Sequence, residues 1–246
     1  MKVIGIIPAR YESTRFPGKP LIDIAGMTMI QRVYNQAKNA SSLHEVIVAT
    51  DDQRIFDHVQ SFAGNVMMTS NTHQSGTDRC AEIIKKTAGF DVAINIQGDE
   101  PFIDPNQIDL LVSCFQQENT QIATLIRKIE QLEDLQNVNK PKVVINNHQE
   151  AIYFSRQPIP FFRGKEMKDW LNQMDYYNHI GIYGYRSDIL QDLTALPLSS
   201  LESAESLEQL RWIENGYKIK TAISSHLNES IDTPEDLQVI LKKYFS

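Results

Sequence analysis

Over its first half the chain alternates short, unbroken apolar runs with segments of helical period, and few architectures accept that order. Residues 3–7, 45–50 and 92–96 read as strands buried on both faces, because apolar residues follow one another without a polar alternate. Between them, residues 27–38 place Ile30, Val33, Tyr34 and Ala37 on one helical face. Helices are also expected over 53–62 and 78–86, with a short strand over 65–68. Strand–helix–strand repetition of this kind implies an α/β fold with a mostly parallel central sheet flanked by helices.

Ligands of such sheets bind beyond the carboxyl ends of the strands. Here those ends carry Pro8-Ala9-Arg10, Thr50-Asp51-Asp52 and Gln97-Gly98-Asp99. The loop after the first strand holds Arg10, Arg15 and Lys19 and closes on Pro17-Gly18. Three cations on one loop stand out in a chain of net charge −7. They suit an anion such as a nucleoside triphosphate, although a solvated cationic loop would read the same way. The pattern is neither a P-loop nor G-x-G-x-x-G.

The acidic balance speaks against broad nucleic-acid binding, which needs a basic face. Cys80 and Cys114 lack metal-type spacing and read as reduced thiols, Cys114 in a packing role. No signal-peptide pattern and no apolar run of membrane-spanning length is present, so a soluble cytoplasmic protein is expected.

Beyond residue 116 the strands become shorter and more alternating: 122–129, 142–145, 151–155 and 179–185 suggest an added, partly antiparallel region. Residues 132–140 read as a surface connection, and 163–178 as polar with a helical middle. One helix is expected over 203–215, ended by Gly216, then a strand over 217–224 and a last helix over 233–244. No repeat or linker interrupts the chain, which suggests a single domain over 1–246.

Two aspartates stand out. Asp99 follows a buried strand and suits a hard cation beside phosphate oxygens, although Gly, Asp and Pro together also make an ordinary turn. Asp232 precedes a helix start in which Thr233 caps, Pro234 takes the first position and Asp236 closes a capping box. That account leaves Asp232 over, and it matters only if it meets Asp99 in space. On the 203–215 helix, Glu205, Glu208, Gln209 and Trp212 share a face that suits a hydroxyl-rich ligand or simply solvent. His179 lies in an aromatic strand, where packing or a hydrogen bond is its ordinary role. No zinc spacing and no nucleophile elbow is visible.

Taken in order, these segments resemble the 3-deoxy-manno-octulosonate cytidylyltransferase family. The carriers are Ile7-Pro8-Ala9-Arg10-Tyr11 with Ser13 to Leu21, Val48-Ala49-Thr50-Asp51-Asp52, His73-Gln74-Ser75-Gly76-Thr77-Asp78-Arg79 and Asn95-Ile96-Gln97-Gly98-Asp99-Glu100-Pro101. Tyr153-Phe154-Ser155-Arg156, His179-Ile180-Gly181-Ile182-Tyr183-Gly184-Tyr185, Leu207-Glu208-Gln209-Leu210-Arg211 and Ile231-Asp232-Thr233-Pro234-Glu235-Asp236-Leu237 complete the set. The family commonly has an Asn-Pro-Asn turn where this chain has Asn137-Val138-Asn139, a departure that looks peripheral.

The resemblance implies a glycosyltransferase-A-like nucleotidyltransferase fold and a homodimer. The contact between subunits is not fixed by it; the 179–185 region is a candidate. It implies transfer of CMP from CTP to 3-deoxy-D-manno-octulosonate (Kdo), with Mg²⁺, for lipopolysaccharide biosynthesis. By the family pattern Arg10 and Lys19 hold the triphosphate, while Ala9, Gln74, Ser75, Gly76 and Arg79 line the CTP site; Arg15 joins the nucleotide-binding set as the third cation of the same loop. Asp99 and Asp232 match the metal pair, and Gln97, Arg156, His179, Tyr183, Glu208 and Gln209 the sugar-acid side. The alternatives are the same chemistry on an analogue such as 8-amino-Kdo or a sialic acid, or a non-catalytic nucleotide-binding regulator.

Overall fold

The computed structural model describes residues 1–12, 16–226 and 229–245. Strand β1 (Val3–Ala9) runs through its middle. Val3, Ile7 and Ala9 enter one buried cluster and Ile4 and Ile6 the other. A strand covered on both faces has no polar side, which explains its uniform apolarity. A small antiparallel pair, β2 (Asp23–Ile24) and β3 (Met27–Thr28), stands apart from the main sheet. β4 (Glu45–Thr50) and β6 (Val92–Asn95) flank β1 in parallel, and β5 (Val66–Met68) extends β4 in parallel. Helices α1 (Met29–Lys38), α2 (Gln53–Ser61) and α4 (Pro105–Ser113) supply one cluster; α3 (Gly76–Lys86) supplies the other.

The second half adds strands to the same sheet. β10 (Tyr177–Arg186) runs antiparallel between β6 and β7 (Ile122–Lys128), and β11 (Ile219–Ile223) lies parallel to β7. β8 (Lys142–Ile145) and β9 (Ala151–Ser155) form a hairpin joined to β10 through β8. The order is β11-β7-β10-β6-β1-β4-β5. This is the expected α/β architecture, with the antiparallel region inserted at the sheet's centre. β10 has strands on both sides, and Ile182 and Tyr185 are fully buried, so of the 179–185 region only His179 and Gly181 keep partial exposure.

Three local expectations change. Residues 132–140 begin with a short helix, α5 (Leu132–Gln136), anchored by the buried Leu135. An unforeseen helix, α6 (Ser187–Ala195), packs Leu190 and Leu193 beside α3. The helix expected over 203–215 is two, α7 (Ser200–Glu205) and α8 (Gln209–Glu214), because Ser206 takes a left-handed conformation with φ of 52°. The break turns α8 inward: Trp212 and Gln209 are buried rather than part of a solvent face.

α9 (Pro234–Phe245) is held by a separate cluster of Ile24, Met29, Ile231 and Ile240. Phe102 stacks on Tyr244 with ring centroids 4.5 Å apart, tying the helix to the loop after β6. The Ile231 amide donates to the Asp99 carbonyl at 3.0 Å, so the C-terminal segment lies along the carboxyl edge of the sheet. Among the described residues, no helix is long and apolar enough to cross a membrane.

Candidate active site

Because β1, β4 and β6 are parallel, Arg10, Asp51 and the Gln97-Gly98-Asp99 turn emerge on one edge. Gly98 permits the closeness: a Cβ there would lie 2.8 Å from the Pro8 carbonyl oxygen. Lys19 opens a short 3₁₀ turn behind Gly18, whose φ is 71° and which packs against Tyr11. The Lys19 ammonium then donates to Asp99 Oδ2 at 2.7 Å and to Asp232 Oδ1 at 3.1 Å. Three distant parts of the chain thus meet at one cation. Two bare carboxylates in that position would repel, and Lys19 compensates both. Asp236 fixes the approach, accepting from the Asp232 and Thr233 amides at 3.0 and 2.8 Å while Thr233 caps α9 in return. The expected capping box is present.

Beside this point lies a cleft of about 810 Å³ with Arg10, Tyr11, Asp51, Asp52 and Arg54 in its wall. Arg10 is exposed and donates to the Gln74 carbonyl at 2.9 Å. Ala9 is buried at the end of β1. Ser75 caps α3 in a full capping box with Asp78, directing the first-turn amides of Gly76 and Thr77 to the sheet edge. Gly76 sits against Pro8 and Asn95, where a Cβ would lie 3.3 Å from the proline ring. Arg15 lies outside the described residues.

Arg79 departs from its expected place. Its side chain is wholly buried and bonds Asp51 at 2.7 Å, Thr69 Oγ1 at 2.7 Å and the Ser70 carbonyl. It does not line the cleft; it holds Asp51 and the loop after β5. Removing either partner would leave an uncompensated charge in the interior, at about 3–5 kcal/mol of stability. Another contact was illegible in sequence: the Arg54 guanidinium, bridged to Asp52, lies 3.3 Å over the Tyr11 ring and braces the cationic loop.

The residues that the family pattern assigns to the sugar acid form a second group, none of them in the wall of that cleft. Gln97 donates to the Gly181 carbonyl at 2.7 Å, which fixes its amide. Glu208 accepts from Thr77 Oγ1 at 2.8 Å, and burial pushes its pKa up, against the pull of Thr77, Ser75 and Arg211. Thr77 was not singled out in the sequence, although its place in the first turn of a capped helix was available as a signal. Tyr183 and Trp212 meet edge to face at 5.2 Å, and His179 lies 5.1 Å from Tyr183. Tyr183 Oη, Gln209 Nε2 and Trp212 Nε1 are buried with no hydrogen-bond partner among the described residues. The Thr124 hydroxyl beside Tyr183 is committed to His179 and to the carbonyls of Ile180 and Ile182. Buried polar groups are ordinarily satisfied, so three in one neighbourhood favour a polar ligand.

Arg156 is less free than expected. Its guanidinium donates to the carbonyls of Glu205, Val138 and Ser206 at 2.7, 3.1 and 3.3 Å. The Asn137–Val138 departure from the family pattern is therefore tied to a site residue rather than peripheral. Lys142, fully buried, donates to the Asn137 and Lys140 carbonyls and holds the same loop.

His179 gives the site a pH signature. Burial lowers its pKa from 6.5 to about 3, so the ring is neutral in the folded protein while the unfolded chain binds a proton. Stability from this group is full above pH 6.5 and declines as pH falls from there to about 3. Urea melts of wild type and His179→Asn across that window should show a shallower acid loss in the variant; parallel curves would remove this linkage.

The match to the cytidylyltransferase family model spans residues 4–219. The 3-deoxy-manno-octulosonate cytidylyltransferase of Parabacteroides distasonis is 56% identical over 246 residues, covering 98% of this chain and 97% of that protein. Its namesake from Bacteroides thetaiotaomicron is 56% identical over 242 residues, covering 97% and 96%. A solved CMP:2-keto-3-deoxy-manno-octonic acid synthetase complexed with CTP superposes with a TM-score of 0.91 at 42% identity, covering 99% of this chain and 98% of that one. Fold and site together define a nucleotidyltransferase. More narrowly, the chain belongs to the 3-deoxy-manno-octulosonate cytidylyltransferase family.

Proposed function

We propose that this protein transfers CMP from CTP to Kdo, releasing diphosphate, and so activates Kdo for lipopolysaccharide assembly. The observation that carries the reading is the meeting of Lys19 with Asp99 and Asp232 at the carboxyl edge of the sheet. The Kdo anomeric hydroxyl attacks the α-phosphorus, the bond to the β-phosphate breaks, and the hydroxyl proton leaves to solvent. No covalent enzyme intermediate is required, consistent with the lack of an activated nucleophile in the sequence. Catalysis is then positioning and charge neutralisation.

Arg10 and Lys19 bind the triphosphate, with Arg15 assigned there by the charge of the loop they share. The α3 N-terminus at Ser75-Gly76 offers backbone donors, and Ala9 and Gln74 complete the nucleotide wall. Arg79 acts through Asp51. On the other side the unsatisfied Tyr183, Gln209 and Trp212 groups suit sugar hydroxyls, with Gln97 and Glu208 beside them. His179, held neutral, serves there as a hydrogen-bonding group rather than a cation. Arg156 takes the sugar carboxylate by exchanging some of its backbone carbonyl partners for it.

Asp99 and Asp232 fit a hard divalent cation: two carboxylates converge on a position already selected for positive charge. Mg²⁺ held there would neutralise developing phosphate charge and lower the pKa of the attacking hydroxyl. We place the protein in the cytoplasm, as a homodimer of one-domain subunits.

Diphosphate release should require CTP, Kdo and a divalent cation together. Equal turnover with ATP, or full activity in excess chelator, would sink the assignment. Preference for 8-amino-Kdo over Kdo would keep the chemistry and move the substrate.

A further inference from the structure

We infer that Lys19 is an internal cation that occupies the metal position until a nucleoside triphosphate draws it away, so that metal and nucleotide bind cooperatively. This rests on the metal role proposed for Asp99 and Asp232. The ammonium is 2.7 Å from Asp99 Oδ2 and 3.1 Å from Asp232 Oδ1, so both carboxylates are already neutralised from within. A Mg²⁺ bonding oxygens at about 2.0–2.1 Å cannot share that gap with an ammonium. Like charges that close repel strongly, more so where solvent is thin, and the Lys19 side chain is only 15% exposed. Divalent binding therefore requires Lys19 to leave.

The leaving movement is confined to a side chain. The backbone around Lys19 is fastened: the Gly18 amide donates to the Tyr11 carbonyl at 2.9 Å, the Leu21 amide to the Gly18 carbonyl at 2.9 Å, and Pro20 is buried. The four-carbon stem pivots on that anchor. In the ligand-free protein the displaced ammonium would lose two charged partners. A triphosphate supplies replacements within reach of the same loop, where Arg10 is exposed. Each ligand thus lowers the cost of the other, and by linkage the effect is reciprocal. The device keeps an acidic pair compensated in the resting protein and discourages metal loading without nucleotide.

The test is Mn²⁺ binding to the full-length, ligand-free protein, followed by electron paramagnetic resonance of free Mn²⁺. Lys19→Met and Lys19→Gln should each bind Mn²⁺ at least tenfold more tightly than wild type. Adding Asp99→Asn to Lys19→Met should cancel the gain. A non-hydrolysable CTP analogue should tighten Mn²⁺ binding by a larger factor in wild type than in Lys19→Met. Unchanged or weaker Mn²⁺ binding in the lysine variants, with native circular dichroism, overturns the proposal while leaving the metal role intact. If Asp99→Asn affects Mn²⁺ affinity in neither background, the metal role itself fails and the proposal falls with it. Two lysine replacements are used so that misfolding of one leaves the other to decide.

Discussion

Asp99→Asn and Asp232→Asn are each expected to lower kcat/KM for CMP transfer by about 10²–10³-fold, the scale of losing one preorganised charge-stabilising group. The double variant should be little worse than either single one. The reason is geometric: both carboxylates address one cation position, now held by Lys19. Groups that act as a unit lose their joint function when either is removed. Each single variant keeps one ion pair to Lys19 and the same side-chain volume. The Asp99 backbone carbonyl still accepts from Ile231, so the C-terminal segment should stay in place. Circular dichroism and a thermal melt check that the fold survives. If the two losses multiply instead, the aspartates act separately and the shared-cation account is wrong.

How far such a site can be read from sequence depends on which forces build it. The strands β1, β4 and β6 were legible because burial on both faces writes an unbroken apolar run. Their parallel order alone places Arg10, Asp51 and Asp99 on one edge. The capping box at Thr233 and Asp236 was legible for a similar reason, since it is a local pattern with a local cause. Non-local events were not. Nothing near Ser206 announces a residue with φ of 52°, because a serine there has no glycine-like signature. Missing that break misplaced Trp212 and Gln209 on a solvent face. α6 was missed because only Leu190 and Leu193 mark its buried side. The family pattern alone put Arg79 in the CTP site; its buried bond to Asp51 depends on where β4 ends relative to α3. The pairing of Asp99 with Asp232 came from family resemblance, not from spacing. Physically it depends on Phe102, Tyr244 and Ile231 bringing the last helix across the sheet edge.

Lys19→Ala should reduce kcat/KM by a comparable ~10²–10³-fold while the protein stays folded. Lys19 contributes charge rather than packing: its buried neighbours Gly18 and Pro20 set the turn. Truncation leaves Asp99 and Asp232 facing one another without their cation. That repulsion is a partly solvated one, with the two side chains 27% and 35% exposed, so it is moderated by water and counter-ions. Some loss of thermal stability is expected, and divalent cation should restore it. The catalytic loss should not be restored in the same way. A cation seated on the aspartates cannot also follow charge onto the departing diphosphate, which is the task proposed for the lysine. The variant should therefore be stabilised by metal yet remain slow at saturating metal and CTP. Wild-type kcat/KM in Lys19→Ala would exclude a role for this charge in the reaction. A rate fully rescued by metal alone would reduce Lys19 to a structural counter-ion, needed to hold two carboxylates together and for nothing in the transfer itself.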